Sequence, residues 1–298
     1  MKNIVSRNFI WIIIVFSILG FFEPKLVIWA KGYIPLLLGI IMFGIGYSFE
    51  GENIKKTLNY KKMIGVAVIA RYLVMPTTGF IIGITLNLPL DYLTGLVLLA
   101  SCPGGTAAGL MSVFSKANVT LTICLTILTT IIAPFVIPCL IYFFLHKHIS
   151  IPVIDIMKNI SFIVLFPLTI GFSIKNLIRN SYHLSTVLPI ISAFAIAFVV
   201  ACVIGLTKDY LIYSRIVFLP VLLLNVFGYF SGLMLANLSK CNIAEKKSLI
   251  FEYGMFDTAL GVVIATSFFN PLVALPSVFF SVIQNLTAPI IVRFYNKP

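Results

Sequence analysis

Apolar runs long enough to cross a bilayer follow one another along almost all of this chain, which leaves little choice of architecture. A span takes about 20 residues. Ten stretches qualify or come close: 8–22, 34–49, 63–85, 92–114, 119–145, 159–178, 185–206, 211–237, 247–268 and 272–292. In hydrocarbon every backbone N–H and C=O must be paired within the protein, so such runs fold as helices. A 298-residue chain that is 60% hydrophobic and 10% charged is predicted to be an all-α polytopic membrane protein with ten transmembrane helices. Its start (Lys2, Arg7, then an apolar run) resembles a signal peptide without a small-residue cleavage site and is read as a retained first helix. The stretch 151–158 is expected as a short interfacial helix before the sixth span.

Two of the runs are broken. Ser101-Cys102-Pro103-Gly104-Gly105-Thr106 interrupts 92–114, and Phe251-Glu252-Tyr253-Gly254-Met255-Phe256-Asp257 puts two carboxylates and a glycine inside 247–268. Gly104 and Gly254 lie 150 residues apart, half of the chain. Interrupted helices at matching places in two halves are where secondary transporters build their binding sites. Pro103 removes a backbone donor and the glycines remove helix propensity, so the helix is expected to open there. Carbonyls left before the break suit a cation, and amides after it suit an anion. Thr106 is expected to cap the second half-helix.

A carboxylate in hydrocarbon costs at least about 2–3 kcal/mol and therefore faces a partner or a wet cavity. Glu252 is the strongest candidate for a hard-cation ligand. Thr122 and Thr126, spaced i, i+4, offer hydroxyls on one helix face, continued by Thr129 and Thr130. Arg71 lies too deep in 63–85 to reach the interface. It has Glu252, Asp257 or a substrate as alternative partners. Asn285 is the polar point of the last span, as a substrate contact or a helix–helix hydrogen bond.

The charge balance sets orientation rather than binding. The net charge is +12, but no basic patch is interleaved with exposed aromatics, so nucleic acid is not expected. Lys and Arg divide fourteen to five between the two sides if the N-terminus is cytoplasmic, which predicts both termini inside. Five spans per half is an odd number, so halves of like layout run in opposite directions: an inverted repeat of 1–148 and 149–298, broken near 101–106 and 252–257. The five cysteines contain no CxxC, and His146, His148 and His183 fall in connections, so neither a metal cage nor a histidine-based membrane enzyme is indicated. A transport-inactive membrane sensor or scaffold is the alternative from another class.

The motif Ser101 to Ala107, the string Asn118-Val119-Thr120-Leu121-Thr122, the Phe251-Glu252-Tyr253-Gly254-Met255 segment and Asn270-Pro271-Leu272-Val273-Ala274-Leu275-Pro276, followed by Gln284-Asn285-Leu286-Thr287, together resemble the bile acid:sodium symporter family, and its bacterial members in particular. The resemblance covers essentially the whole chain. Arsenite and auxin carriers share the layout but match the Glu252 segment less well. The resemblance implies a panel domain and a core domain built from both repeats, with the two broken helices crossing in the core. It implies sodium as coupling ion, no cofactor, and a small organic acid substrate, pantoate-like or sterol-like, carried across the bacterial cytoplasmic membrane. Two sodium ions would share Glu252, with Thr122 and Thr126 as hydroxyl ligands of the first. Ala108 and Gly109 stand where the family has Ser-Asn and leave only carbonyls. Tyr253, Met255 and Phe256 would add further sodium contacts, Phe256 only through its carbonyl at the second site. Thr106, Gly105, Asp257 and Asn285 would line the substrate. Arg71 and Phe256 each stand where a glutamine is usual, and Asp257 where asparagine is usual. This implies altered coupling, with one ion kept or with Arg71 substituting for a cation; a sodium-independent or proton-coupled member is the alternative.

Overall fold

The structure, a computed structural model, describes residues 12, 15–47, 60–147, 149, 151–177, 182–206, 208 and 215–295. Residues 12 and 15–22, the described part of the first predicted span, are helical. Helix α1 (Lys25–Ile28) runs through a 3-10 segment, Trp29–Tyr33, into α2 (Ile34–Tyr47). Then come α3 (Lys61–Thr85), α4 (Leu90–Ser101), α5 (Thr106–Phe114) and α6 (Val119–Leu145). The remainder is α7 (Val153–Ile160), α8 (Phe166–Leu177), α9 (Tyr182–Leu206), α10 (Arg215–Leu238), α11 (Ile243–Gly254), α12 (Thr258–Phe268) and α13 (Leu275–Tyr295). Among the described residues, six helical stretches are long and apolar enough to cross a membrane: Lys25–Tyr47, Lys61–Thr85, Val119–Leu145, Val153–Lys175, Arg215–Leu238 and Pro271–Tyr295.

The stretch 151–158 is not a separate interfacial helix. Helix α7 continues through a π-helical turn, Ser161–Leu165, into α8, so Val153–Lys175 is one span-length helix. The two broken runs are broken as predicted. Helix α4 stops at Ser101 and α5 starts at Thr106, while α11 stops at Gly254 and α12 starts at Thr258. Each piece has 9 to 12 residues, too short to span alone.

The half-helices sit among α3, α6, α10 and α13. Helices α2, α8 and α9 pack together, and an apolar cluster joins them to the flanks of α4 and α12 through residues such as Leu38, Val97, Val200 and Val262. The turns leading into α6 and α11 share the string Ser-Lys-x-Asn. In both, the lysine (Lys116, Lys240) takes a left-handed backbone conformation, and the asparagine (Asn118, Asn242) caps the next helix. The Asn118 N–H donates to the Ala244 carbonyl at 3.0 Å, docking one turn on the other at the same end of the molecule.

Close helix contact here depends on small residues, as it does wherever lipid gives helices no hydrophobic reason to associate. A Cβ on Gly46 would overlap the Leu168 carbonyl, and one on Gly171 would overlap the Phe43 carbonyl, so α2 and α8 touch backbone to backbone. Gly65 on α3 has open space instead. We expect Gly171→Ala to lower stability by about 1–3 kcal/mol. Gly65→Ala should be neutral or stabilise by up to about 1 kcal/mol. Melting temperatures of the purified variants in one detergent check the pair, and equal effects would contradict the backbone contact.

Candidate functional site

The two interruptions meet. Gly104 and Phe256 form an antiparallel bridge. The Gly105 N–H donates to the Met255 carbonyl at 3.1 Å, and the Asp257 N–H donates to the Pro103 carbonyl at 2.9 Å. Cys102 (φ −69°, ψ 150°) and Met255 (φ −128°, ψ 125°) are extended. Groups orphaned by one break therefore satisfy groups orphaned by the other, which is what hydrocarbon surroundings require. The C-termini of α4 and α11 and the N-termini of α5 and α12 converge on this crossing, each carrying about half an elementary charge of its own sign.

The charged side chains follow those dipoles. Arg71, buried on α3 and 1% exposed, does not bind either carboxylate. Its Nη1 donates to the backbone carbonyl of Glu252, and its Nη2 donates to the carbonyl of Cys102 at 3.2 Å. It thus tethers the C-terminal ends of both half-helices. Its guanidinium carbon lies 4.6 Å from the Phe256 ring centroid and 5.9 Å from that of Tyr253, within cation–π range. The predicted pairing of Arg71 with Glu252 or Asp257 is replaced by this contact, because carbonyls at helix C-termini offer the same negative potential. Asp257 is spent elsewhere: it is the N-cap of α12, its Oδ1 accepting from the Leu260 N–H at 3.2 Å.

Glu252 is also buried, 1% exposed. Its Oε2 accepts from the Thr126 hydroxyl at 2.7 Å. Its Oε1 has no hydrogen-bond partner. A Cβ on Gly104 would overlap this carboxylate, so glycine there makes room for it. Thr122 does not reach Glu252: its hydroxyl pairs with that of Ser112 at 2.8 Å. Thr129 Oγ1 accepts from the Gly104 N–H at 3.4 Å, and its carbonyl accepts from Tyr72 Oη at 2.5 Å. Ala108 is buried in an apolar cluster with Phe251, Met255 and Ala288, and Gly109 is half-buried beside Ile123.

The backbone of the second break is held from outside by three helices. Asn225 on α10 donates from Nδ2 to the Gly254 carbonyl at 2.8 Å and accepts from Thr287 at 2.9 Å. Gln284 on α13 accepts from the Phe256 N–H at 2.9 Å and donates to its carbonyl at 3.3 Å. The Tyr253 hydroxyl donates to the Ala67 carbonyl on α3 at 2.5 Å. Asn285, the residue singled out on α13, donates to the Ser281 carbonyl at 2.7 Å, and its buried Oδ1 has no partner. The N-cap of α5 is Gly105 rather than Thr106, and it makes no side-chain cap bond; Thr106 is the first helical residue, and its side chain lies outside the described residues. The N-terminus of α5 is thus a positive helix end without a carboxylate, unlike that of α12.

Asn225, Gln284, Ser112 and Lys247 also bear on the crossing or its supports, and of these only Gln284 stands in a motif noted in the sequence, without a role. The first three are polar residues inside apolar runs, which was the available signal. Lys247, at the edge of the predicted span 247–268, is 7% exposed on α11. It donates to the Ser115 carbonyl at the C-terminal end of α5 at 2.6 Å and lies 5.8 Å from the Tyr295 ring centroid.

Interrupted helices crossing over a buried carboxylate, inside a bundle of membrane-length helices, define a secondary transporter. The chain belongs to the sodium bile acid symporter family, whose model matches residues 35–215, more than half of its length. It is 34% identical over 290 residues to an uncharacterized sodium-dependent transporter of Bacillus subtilis (strain 168), covering 97% of this chain and 90% of that protein. It is 26% identical over 284 residues to a probable chloroplastic sodium/metabolite cotransporter of Arabidopsis thaliana, covering 94% and 71%. It is 26% identical over 283 residues to the hepatic sodium/bile acid cotransporter of Rattus norvegicus, covering 88% and 76%. Members of this family are membrane transporters rather than enzymes.

Removing Gln284 tests how far the crossing depends on outside support. Gln284→Leu leaves the Phe256 N–H and carbonyl without their side-chain partner, at a cost of about 1–3 kcal/mol. We expect a lower melting temperature for this variant than for Leu286→Ala on the exposed face of the same helix.

Proposed function

We propose that the protein is a sodium-driven symporter of a small organic anion, working by alternating access in a bacterial cytoplasmic membrane with both termini cytoplasmic. The observation that carries this reading is Glu252 Oε1, a buried carboxylate oxygen without a partner, beside Thr126 and the crossing backbone. An orphaned carboxylate oxygen in a low-dielectric interior costs more than one that a cation neutralises, so the site suits a hard monovalent ion. Thr126, with Thr122 and the α5 backbone around Ala108 and Gly109, would complete its surroundings. The sodium dependence named for the Bacillus relative supports the choice of ion.

The anion's place is the free positive end of α5 at Gly105 and Thr106, with Asp257 and the unpartnered Asn285 Oδ1 as candidate neighbours. Asp257 is less hostile to an anion than its charge suggests, because it is held against the positive end of α12. Acceptors such as Asn285 Oδ1 favour an acid that also carries a hydroxyl or amide donor, which both a pantoate-like and a sterol-like acid supply. We assign the alternation to two inverted five-helix repeats, 1–148 and 149–298, with α2, α8 and α9 in a panel and the helices around the crossing in a core. Arg71 alters one of the two cation positions implied by the family.

Uptake into proteoliposomes tests the reading, with radiolabelled small carboxylic and sterol acids and either sodium or potassium outside. Accumulation should require sodium. Glu252→Gln should abolish the sodium dependence, and Thr126→Val should weaken the apparent sodium affinity about ten- to hundred-fold, the value of a charge-assisted hydrogen bond. Equal accumulation in potassium would sink the sodium-driven reading.

A further inference from the structure

We infer that the crossing takes one coupling cation per protein, the Arg71 guanidinium standing permanently where a second would have to sit, so that symport of a monoanion moves no net charge. The inference rests on the sodium-driven reading above and specifies its stoichiometry.

Acceptor accounting comes first. Around the second break the carbonyls of Glu252, Gly254, Met255 and Phe256 accept from Arg71, Asn225, the Gly105 N–H and Gln284 respectively. Around the first break the carbonyls of Cys102 and Pro103 accept from Arg71 and the Asp257 N–H. A cation held by these six oxygens would have to displace protein donors from buried sites, and the Tyr253 carbonyl beside them is packed against Gly228. Glu252 Oε1 is the unspent charged acceptor among the described residues here.

Charge gives the same count independently. Two helix C-termini meet at Arg71, each worth about half a negative charge, and one guanidinium offsets about that much. Of the two carboxylates at the crossing, Asp257 is held on a positive helix end, which leaves Glu252 for one monovalent ion. A second cation would lie within a few ångströms of a fixed positive charge in a dry interior, weakening it on the order of a hundredfold or more.

Arg71 and Phe256 also suit one another. Phe256 has no side-chain oxygen to offer an ion, but its ring receives the Arg71 guanidinium at 4.6 Å. A ring there fits a permanent organic cation and not a bare, hard metal ion that needs oxygen ligands. Met255 and Phe256 accordingly hold the crossing together rather than ligate.

Equilibrium binding of radioactive sodium to the purified full-length protein tests this without knowledge of the substrate. The wild type should bind one sodium per protein with a Hill coefficient near one, and Glu252→Gln should bind none. Arg71→Gln should raise the number toward two, and Arg71→Lys, which keeps the charge, should leave it at one. Two sodium ions per wild-type protein, or an unchanged count in a folded Arg71→Gln, would overturn the inference and leave sodium coupling standing. No sodium bound to the wild type would overturn both. The wild-type count decides even where Arg71→Gln fails to fold.

Discussion

Everything at the centre of this protein depends on backbone that has left its helices and must still be paired. A bilayer-spanning helix that breaks exposes several N–H and C=O groups to surroundings without water, at a cost of several kcal/mol each. One break alone would not be tolerable. Two breaks laid antiparallel supply each other's partners, as Gly105 to Met255 and Asp257 to Pro103 show. Pro103 is consistent with this, since its missing N–H is one donor fewer to satisfy. The crossing is thus a minimal ladder set inside a helical bundle, and the surrounding polar side chains complete it.

Once the half-helices converge, their dipoles decide where charges go. Both C-terminal ends receive Arg71, the N-terminal end of α12 receives Asp257, and the C-terminal end of α5 receives Lys247. Glu252 stands apart from this pattern. It lies in the last turn of α11, near a negative helix end, where a carboxylate is disfavoured. Its carboxylate leans away from that end, against Gly104 and the Thr126 hydroxyl, and keeps one oxygen unpaired.

The breaks were legible in the sequence because Pro103-Gly104-Gly105 and the carboxylates at Glu252 and Asp257 violate what an uninterrupted span tolerates. Such violations persist only where structure compensates for them. Partners were less legible. Glu252 and Asp257 both suited Arg71 by charge, and nothing in the sequence shows that backbone carbonyls would be the stronger attraction. Gln284 and Asn285 are neighbours pointing about 100° apart on one helix, so sequence could not say which one reaches the crossing. Thr106 offers cap chemistry through its hydroxyl, but the cap residue must be extended, and the helix begins one residue earlier than a Thr106 cap requires, which leaves Gly105 in that place. A lysine near a helix start is usually solvated, and only the docked turn, through the Ser115 carbonyl, buries Lys247.

The arrangement of hydrogen bonds also limits what can move. Among the described residues, side-chain bonds to the crossing come from α3 through Arg71, from α6 through Thr126 and Thr129, from α10 through Asn225 and from α13 through Gln284. These bonds are directional and buried, so sliding any of those helices by an ångström would strand polar groups in a dry interior. The border with α2, α8 and α9 is instead an apolar cluster. Apolar contact is non-directional, and one packed arrangement can exchange for another at little cost in pairing. The boundary between α2, α8 and α9 and the rest is therefore the one with the least directional pairing to lose. Arg71, by pinning both half-helices to α3, ties the crossing to the other side of that boundary.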